Sequence, residues 1–192
     1  MKTIICFALA AAAGLAAASL QAQGTLTATA TLTETGTAGS EFEYSLALDN
    51  TGSQPINALW YGWVQFGFDL PSSPTSITAP TGWSGTADGN SIKFANNSGG
   101  AIASGAIGTF TFESTSSPTA MTTGVNGGFP TGDSVAYGTV AAMNSSEESI
   151  AGVASGPFAP TLTATPEPST CGLMATGLAG MSAWLARRRS TA

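Results

Sequence analysis

The side chains that could do chemistry in this chain are mainly carboxylates, because the sequence contains no histidine. Histidine is the commonest general base and metal ligand, so its absence excludes Ser-His and Cys-His nucleophile pairs. Two close glutamate pairs exist, Glu41 with Glu43 and Glu147 with Glu148. Glycoside hydrolysis uses two converging carboxylates in differently tuned environments. The first pair lies on one outward strand face and the second in a serine-rich loop, which favours solvated charges over a small hydrolase.

Metal-binding patterns are weak. Asp69, Asp88 and Asp133 are spread among predicted loops without the spacing of a calcium-binding loop. Cys6 and Cys171 lie near the two ends of the chain, so the region between them has no disulfide and no thiolate zinc site. We therefore expect no metal, no cofactor and no enzymatic activity.

Aromatic side chains offer a different chemistry. Trp60, Tyr61, Trp63 and Trp83 lie in or near the most aromatic part of the sequence. An exposed ring on a β-sandwich can stack on a sugar, whereas a buried ring fills the core. Strand alternation favours burial for most of them and leaves one or two exposed. Trp60 and Trp63 are therefore candidate contacts for extracellular polysaccharide, with burial in the core as the favoured alternative.

Charge is segregated along the chain. Between residues 24 and 165 there are ten acidic residues and one base, Lys93, which gives a net charge of −9. A nucleic-acid ligand requires cationic side chains at its phosphates, so this region excludes nucleic-acid binding.

These side chains are positioned by predicted strands. Apolar and polar residues alternate with a period of two over residues 26–33 and 41–49. A turn is expected at 35–40, and Asp88-Gly89-Asn90 indicates a hairpin. No stretch between 24 and 160 has the apolar spacing of a helix. Further short strands are expected over residues 56–70, 76–78, 91–94, 109–112, 134–142 and around Leu162.

This pattern predicts an all-β fold, an antiparallel β-sandwich of about seven to nine strands. Its Leu46–Gly52 turn is similar to those of immunoglobulin-like or cohesin-like surface modules. We place the β-sandwich domain at residues 23–144. Residues 145–165 are rich in Ser, Ala, Thr and Pro and are interpreted mostly as a spacer.

Residues 1–22 have the features of a secretory signal peptide: Lys2, then an Ala- and Leu-rich run. A small residue ends this segment, so cleavage is expected between Ala22 and Gln23. The export route would be of the Sec type. An uncleaved membrane helix is the alternative, which the short, Ala-rich run disfavours.

The last segment, residues 166–192, has three parts in order. Pro166-Glu167-Pro168 cannot lie inside a helix and leaves an extended segment. Residues 171–186 carry no charge and would form a helix of about 24 Å, slightly short of a hydrocarbon core of about 30 Å. Arg187, Arg188 and Arg189 would stay on the cytoplasmic side. An amphipathic helix packed on the domain is disfavoured, because the run has no polar stripe.

This tail resembles the PEP-CTERM sorting signal of Gram-negative bacteria. The resemblance rests on Pro166, Glu167 and Pro168, the Gly/Leu-rich run and the terminal arginine cluster. It implies that an exosortase, an integral-membrane cysteine protease, processes the tail and that this chain is the substrate. The protein would be anchored transiently in the inner membrane and then delivered to the cell surface, the extracellular matrix or a biofilm.

The sequence therefore predicts an exported, non-enzymatic protein with a structural or interaction role. Two alternatives are a carbohydrate-binding surface module and a membrane-tethered periplasmic β-domain whose C-terminus is not processed.

Overall fold

The computed structural model of the 192-residue chain describes residues 24–63, 69–123, 125–126, 129–145 and 153–163. The predicted signal peptide with its cleavage site at Ala22 and Gln23 lies outside these residues, as does the tail from Pro166 onwards. The described elements are β1 (Ala28–Ala38), β2 (Glu41–Asn50), β3 (Ala58–Tyr61), β4 (Thr75–Thr78), β5 (Trp83–Ala87), β6 (Ile92–Asn96), β7 (Ile107–Ser114), α1 (Pro118–Thr123), β8 (Val125–Asn126), β9 (Phe129–Pro130), β10 (Val135–Tyr137), α2 (Val140–Asn144) and β11 (Thr161–Thr163).

Two sheets form the body of the fold. One has five strands in the order β11-β1-β2-β7-β4, and the other has four in the order β10-β3-β6-β5. Neighbouring strands are antiparallel in every pair of these sheets except β1 with β11, which is parallel. The predicted antiparallel β-sandwich is confirmed, and the expected Asp88-Gly89-Asn90 hairpin joins β5 to β6.

The alternation seen in the sequence decides which side chains enter the core. In β2 the inward residues are Tyr44, Leu46 and Leu48, all fully buried, and they alternate with polar or small residues. Aromatic rings make close contacts within and between the sheets. The ring centroids of Tyr44 and Phe112, on neighbouring strands of one sheet, are 5.3 Å apart, and those of Phe94 and Phe110, on different sheets, are 4.3 Å apart. A domain without disulfides is thus stabilised by burial of large rings.

A second apolar cluster covers the outer side of the four-stranded sheet. It combines even-numbered residues of β3 with residues of β10 and α2. Its buried members are Ala58, Trp60, Trp63, Val135, Tyr137, Ala142, Met143 and Ala154. As a result β3 is buried on both faces. A strand covered on both sides lacks the alternation of polar and apolar residues that marks a surface strand. The sequence of β3 therefore does not show which of its faces is turned to the main core.

The turn expected at residues 35–40 is shorter than predicted. β1 continues to Ala38 through an irregularity between Glu34 and Gly36, and Thr37 still pairs with Phe42. A bulge absorbs one extra residue and lets the ladder resume beyond it. Only Gly39 and Ser40 form the turn, and Gly39 has the positive φ of 64° that favours glycine.

Two predictions near the C-terminus of the domain are corrected. The strand expected over 134–142 ends at Tyr137, because Thr139 caps α2 by accepting a hydrogen bond from the Ala142 amide at 3.2 Å. The segment interpreted as a spacer contributes to the fold. Ala154 and Phe158 form bridges to Tyr137 and Ser134, and β11 pairs with β1.

Within the described ranges, no helix has both the length and the apolar character needed to cross a bilayer. The helix predicted at residues 171–186 lies outside those ranges.

Candidate functional site

The structure corrects the prediction that Trp60 or Trp63 contacts a glycan. Their side chains are 3% and 0% exposed, so neither ring presents a face on which a sugar could stack. Tyr61 and Trp83 are buried as well. Trp60 and Trp63 are buried because side chains of α2, of the neighbouring strand β10 and of Ala154 pack around them. Tyr61 and Trp83 belong instead to the main core. The alternative in which these rings fill the core is confirmed.

Trp60 is also covered by polar neighbours. Its indole N–H donates to Ser91 Oγ at 3.0 Å, which satisfies the buried donor. The Lys93 ammonium lies 3.8 Å from the ring centroid and 2.6 Å from Asp88 Oδ2. Lys93, the only base between residues 24 and 165, therefore forms an ion pair with a carboxylate and a cation–π contact with an aromatic ring.

Glu41 and Asp88, two of the carboxylates weighed as site residues, are on different sheets. Glu41 accepts a hydrogen bond from Thr75 Oγ1 at 2.9 Å on the five-stranded sheet, whereas Asp88 binds Lys93 on the other sheet. Burial raises the pKa of Asp69 and of Asp133. Among the described residues, no three acidic, cysteine or histidine side chains are grouped so as to hold a metal ion. Glu147 and Glu148 lie outside the described residues.

A groove of about 360 Å³ crosses the five-stranded sheet. It lies on the face opposite the core, because Phe110 and Phe112 of β7 point inwards and Thr111 is exposed between them. The residues that line it are Thr35, Glu43, Tyr44, Ser76, Thr78, Thr111, Phe112 and Glu113. Tyr44 and Phe112 are themselves buried, so hydroxyl and carboxylate groups form the accessible lining.

Hydroxyl side chains continue from the groove across the whole sheet. Strand register places one from each strand opposite the next, in the order Thr163, Thr33, Ser45, Thr111 and Thr78. Neighbouring strands are about 4.8 Å apart, so this hydroxyl row spans about 19 Å.

Two carboxylates face each other beside this row. Glu43 on β2 is directly opposite Glu113 on β7. Like charges in that position destabilise a sheet. Gly36 makes room for one of them, since a Cβ at that position would lie 2.9 Å from Glu43 Oε2.

The rim of the groove at β4 contains a strained residue. Ser76 has φ of 47°, the only positive φ of a non-glycine residue in the described ranges. It lies where the pairing of β4 with β7 shifts between Thr75 and Thr78. A side chain in this conformation costs about 1–3 kcal/mol and is found most often at functional sites.

Sequence reasoning did not find this groove. Its residues come from four strands. β1 and β2 are consecutive in sequence, but only strand order brings β4 and β7 beside them. The alternation of polar residues in β1 predicts an outer face but does not predict which strands lie beside it.

The predicted sorting residues, Pro166 to Pro168 and Arg187 to Arg189, lie outside the described part of the chain. β11 ends at Thr163 and runs parallel to β1, so at its last described residue the strand points towards the end of the sandwich that carries the Gly39-Ser40 turn.

Comparison with known proteins identifies this tail. The family model of the PEP-CTERM protein-sorting motif matches residues 164–189. No curated protein matches the sequence significantly. Among solved structures, a GH20 exo-β-N-acetylglucosaminidase from Vibrio harveyi in complex with N-acetylglucosamine aligns with 14% identity and a TM-score of 0.40. An inactive mutant of that enzyme aligns with 13% identity and a TM-score of 0.39. Each alignment covers 72% of this chain but only 18% of the enzyme chain.

The chain therefore carries a PEP-CTERM sorting motif at its C-terminus, as the sequence predicted. This motif indicates a protein that is exported and targeted to exosortase.

Proposed function

We propose that this chain is a non-enzymatic cargo of exosortase sorting that functions outside the cell. The leader at residues 1–22 directs Sec-type export in a Gram-negative bacterium. Residues 171–186 then hold the chain in the inner membrane, with Arg187 to Arg189 in the cytoplasm. Exosortase cleaves at or near Pro166-Glu167-Pro168, and the β-sandwich is delivered to the cell surface or the extracellular matrix, where it has a structural or interaction role.

The sorting motif at residues 164–189 is the observation that carries this proposal. It begins directly after Thr163, the last residue of β11. All of the described strands therefore lie on the N-terminal side of the expected cleavage.

The non-enzymatic part of the proposal is supported by the side chains available. The sequence has no histidine, and the facing carboxylates Glu43 and Glu113 lie on a sheet surface. Neither has the enclosed setting that separates an acid from a base.

Processing in cells of the producing bacterium tests the sorting function. We expect the combined substitution of Pro166, Glu167 and Pro168 by Ala to leave the uncleaved chain in the inner membrane. Changing Arg187 to Arg189 to Lys is the matched control, because it keeps the positive charges that set topology. Cleavage of the alanine variant at the wild-type rate would contradict the proposal, because it would show that processing does not depend on the motif. A wild-type chain that is itself never cleaved would favour a domain that is simply membrane-tethered.

A further inference from the structure

We propose that the groove on the five-stranded sheet binds a neutral polysaccharide chain, with the hydroxyl row extending its contact surface. This inference rests on the proposed delivery to the cell surface, where such polymers are found. The proposed carbohydrate site is a face made of hydroxyls and carboxylates, and not the tryptophans, which are buried.

The dimensions of the site fit a sugar polymer. Its volume of about 360 Å³ is within the range of about 300–1,000 Å³ that is typical of ligand sites. The hydroxyl row lengthens this footprint to about 19 Å across the strands. The accessible surface is thus a short groove that opens onto a longer polar track, which is the shape an extended chain requires.

The lining supplies both kinds of hydrogen bond that sugar hydroxyls need. Glu43 and Glu113 accept, and hydrogen bonds to ionised acceptors are about twice as strong as neutral ones. Thr78 and Thr111 both donate and accept. Sugar hydroxyls placed between the two facing carboxylates would offset their mutual repulsion. Ligand binding would therefore explain the presence of a pair that does not stabilise the sheet.

Charge and polarity disfavour anionic polymers and apolar partners. The lining contains two carboxylates and no base, so an acidic polysaccharide or a nucleic acid would be repelled. A protein partner would need an apolar centre. The one large exposed hydrophobic residue in the described ranges, Ile107, is at the opposite end of β7 from Glu113.

The strained backbone at the rim of the groove supports its assignment as a ligand site. Ser76 is held at positive φ where β4 bulges, and this places a residue of the edge strand against the groove. Backbone strain of this kind persists when the surrounding structure fixes it, and it clusters at ligand sites.

Affinity electrophoresis of the chain from Gln23 to Ala192 in mild detergent tests the proposal without any sorting step. The probes are a neutral β-glucan, dextran and polygalacturonate, each cast in the gel. We expect retardation by at least one neutral polymer and none by polygalacturonate. The double variant Thr111→Val with Glu113→Gln should bind at least tenfold more weakly, because it removes one donor and one charge at nearly constant shape.

Thr86→Val is the matched control, since Thr86 is an exposed threonine on β5 of the other sheet. It should bind like the wild type, and urea unfolding of each variant checks that the fold is intact. Equal retardation of the folded groove variant and the wild type would overturn the proposal. So would binding to polygalacturonate alone, or the absence of retardation by both neutral polymers. None of these results would affect the processing test.

Discussion

Asn50 at the end of β2 should be one of the most costly polar residues to remove. It is fully buried, and its Nδ2 donates to the carbonyls of Gln54 and Ile102, each at 2.8 Å. Its Oδ1 accepts from the Gly52 amide at 3.0 Å. One side chain therefore fixes the turn after β2 to the segment that precedes β7.

The magnitude follows from these three bonds. Each is worth about 0.5–1.5 kcal/mol, and an orphaned buried carbonyl costs about 1–3 kcal/mol. Two of the three partner groups keep another hydrogen bond when Asn50 is removed, because Ile102 O also accepts from Ile56 N and Gly52 N also donates to Thr27 O. We therefore expect Asn50→Ala to lower the free energy of unfolding by about 2–3 kcal/mol.

The assay is urea unfolding of the chain from Gln23 to Ala192, followed by tryptophan fluorescence. Asn97→Ala is the matched control, because its Nδ2 bonds Ser84 Oγ on the exposed surface, and it should change stability by less than about 0.5 kcal/mol. Asn50→Asp keeps the acceptor but turns a carboxylate towards two carbonyls. It should be worse than Ala at pH 7 and recover in acid. If Asn50→Ala lowers the free energy of unfolding no more than Asn97→Ala, the hydrogen bonds of Asn50 do not stabilise the fold as expected.

Three further predictions concern the core, the groove and pH. Trp63→Ala should cost about 3–5 kcal/mol in urea unfolding, since the ring is fully buried, and a cost below 1 kcal/mol would contradict the second cluster. Ser76→Gly should raise the free energy of unfolding by about 1 kcal/mol, because glycine adopts positive φ without strain, and no gain would show that Ser76 is relaxed. Burial raises the pKa of Asp133, so the folded state binds the proton more tightly than the unfolded state. The contribution of Asp133 to stability is therefore greatest below the unfolded pKa and falls as pH rises through the native pKa. Asp133→Asn should remove that fall and stabilise the protein at pH 7, and an unchanged pH profile would refute this.

The fold class could be predicted from local pattern alone. In β2, Tyr44, Leu46 and Leu48 alternate with polar residues, and this period specifies a half-buried strand wherever the partner strand lies. The sorting tail was equally readable, because its proline, apolar and arginine parts are contiguous in sequence.

Contacts between distant segments could not be predicted in this way. The burial of Trp60 depends on β10 and α2, which lie about 80 residues further along the chain. The strand predicted around Leu162 is confirmed as β11, but its pairing with β1 rests on three residue pairs that a local pattern does not specify. The groove is a third case, since the facing of Glu43 and Glu113 is a property of strand register.

The intact mass of the mature protein is a direct test of exosortase processing. We would recover the protein from the surface and medium of the producing cells and measure its intact mass. If exosortase processes the tail, the mass will correspond to a chain that begins near Gln23 and ends near Pro166 to Pro168, with or without an added group. A recovered chain that still contains Arg187 to Arg189 would contradict exosortase processing.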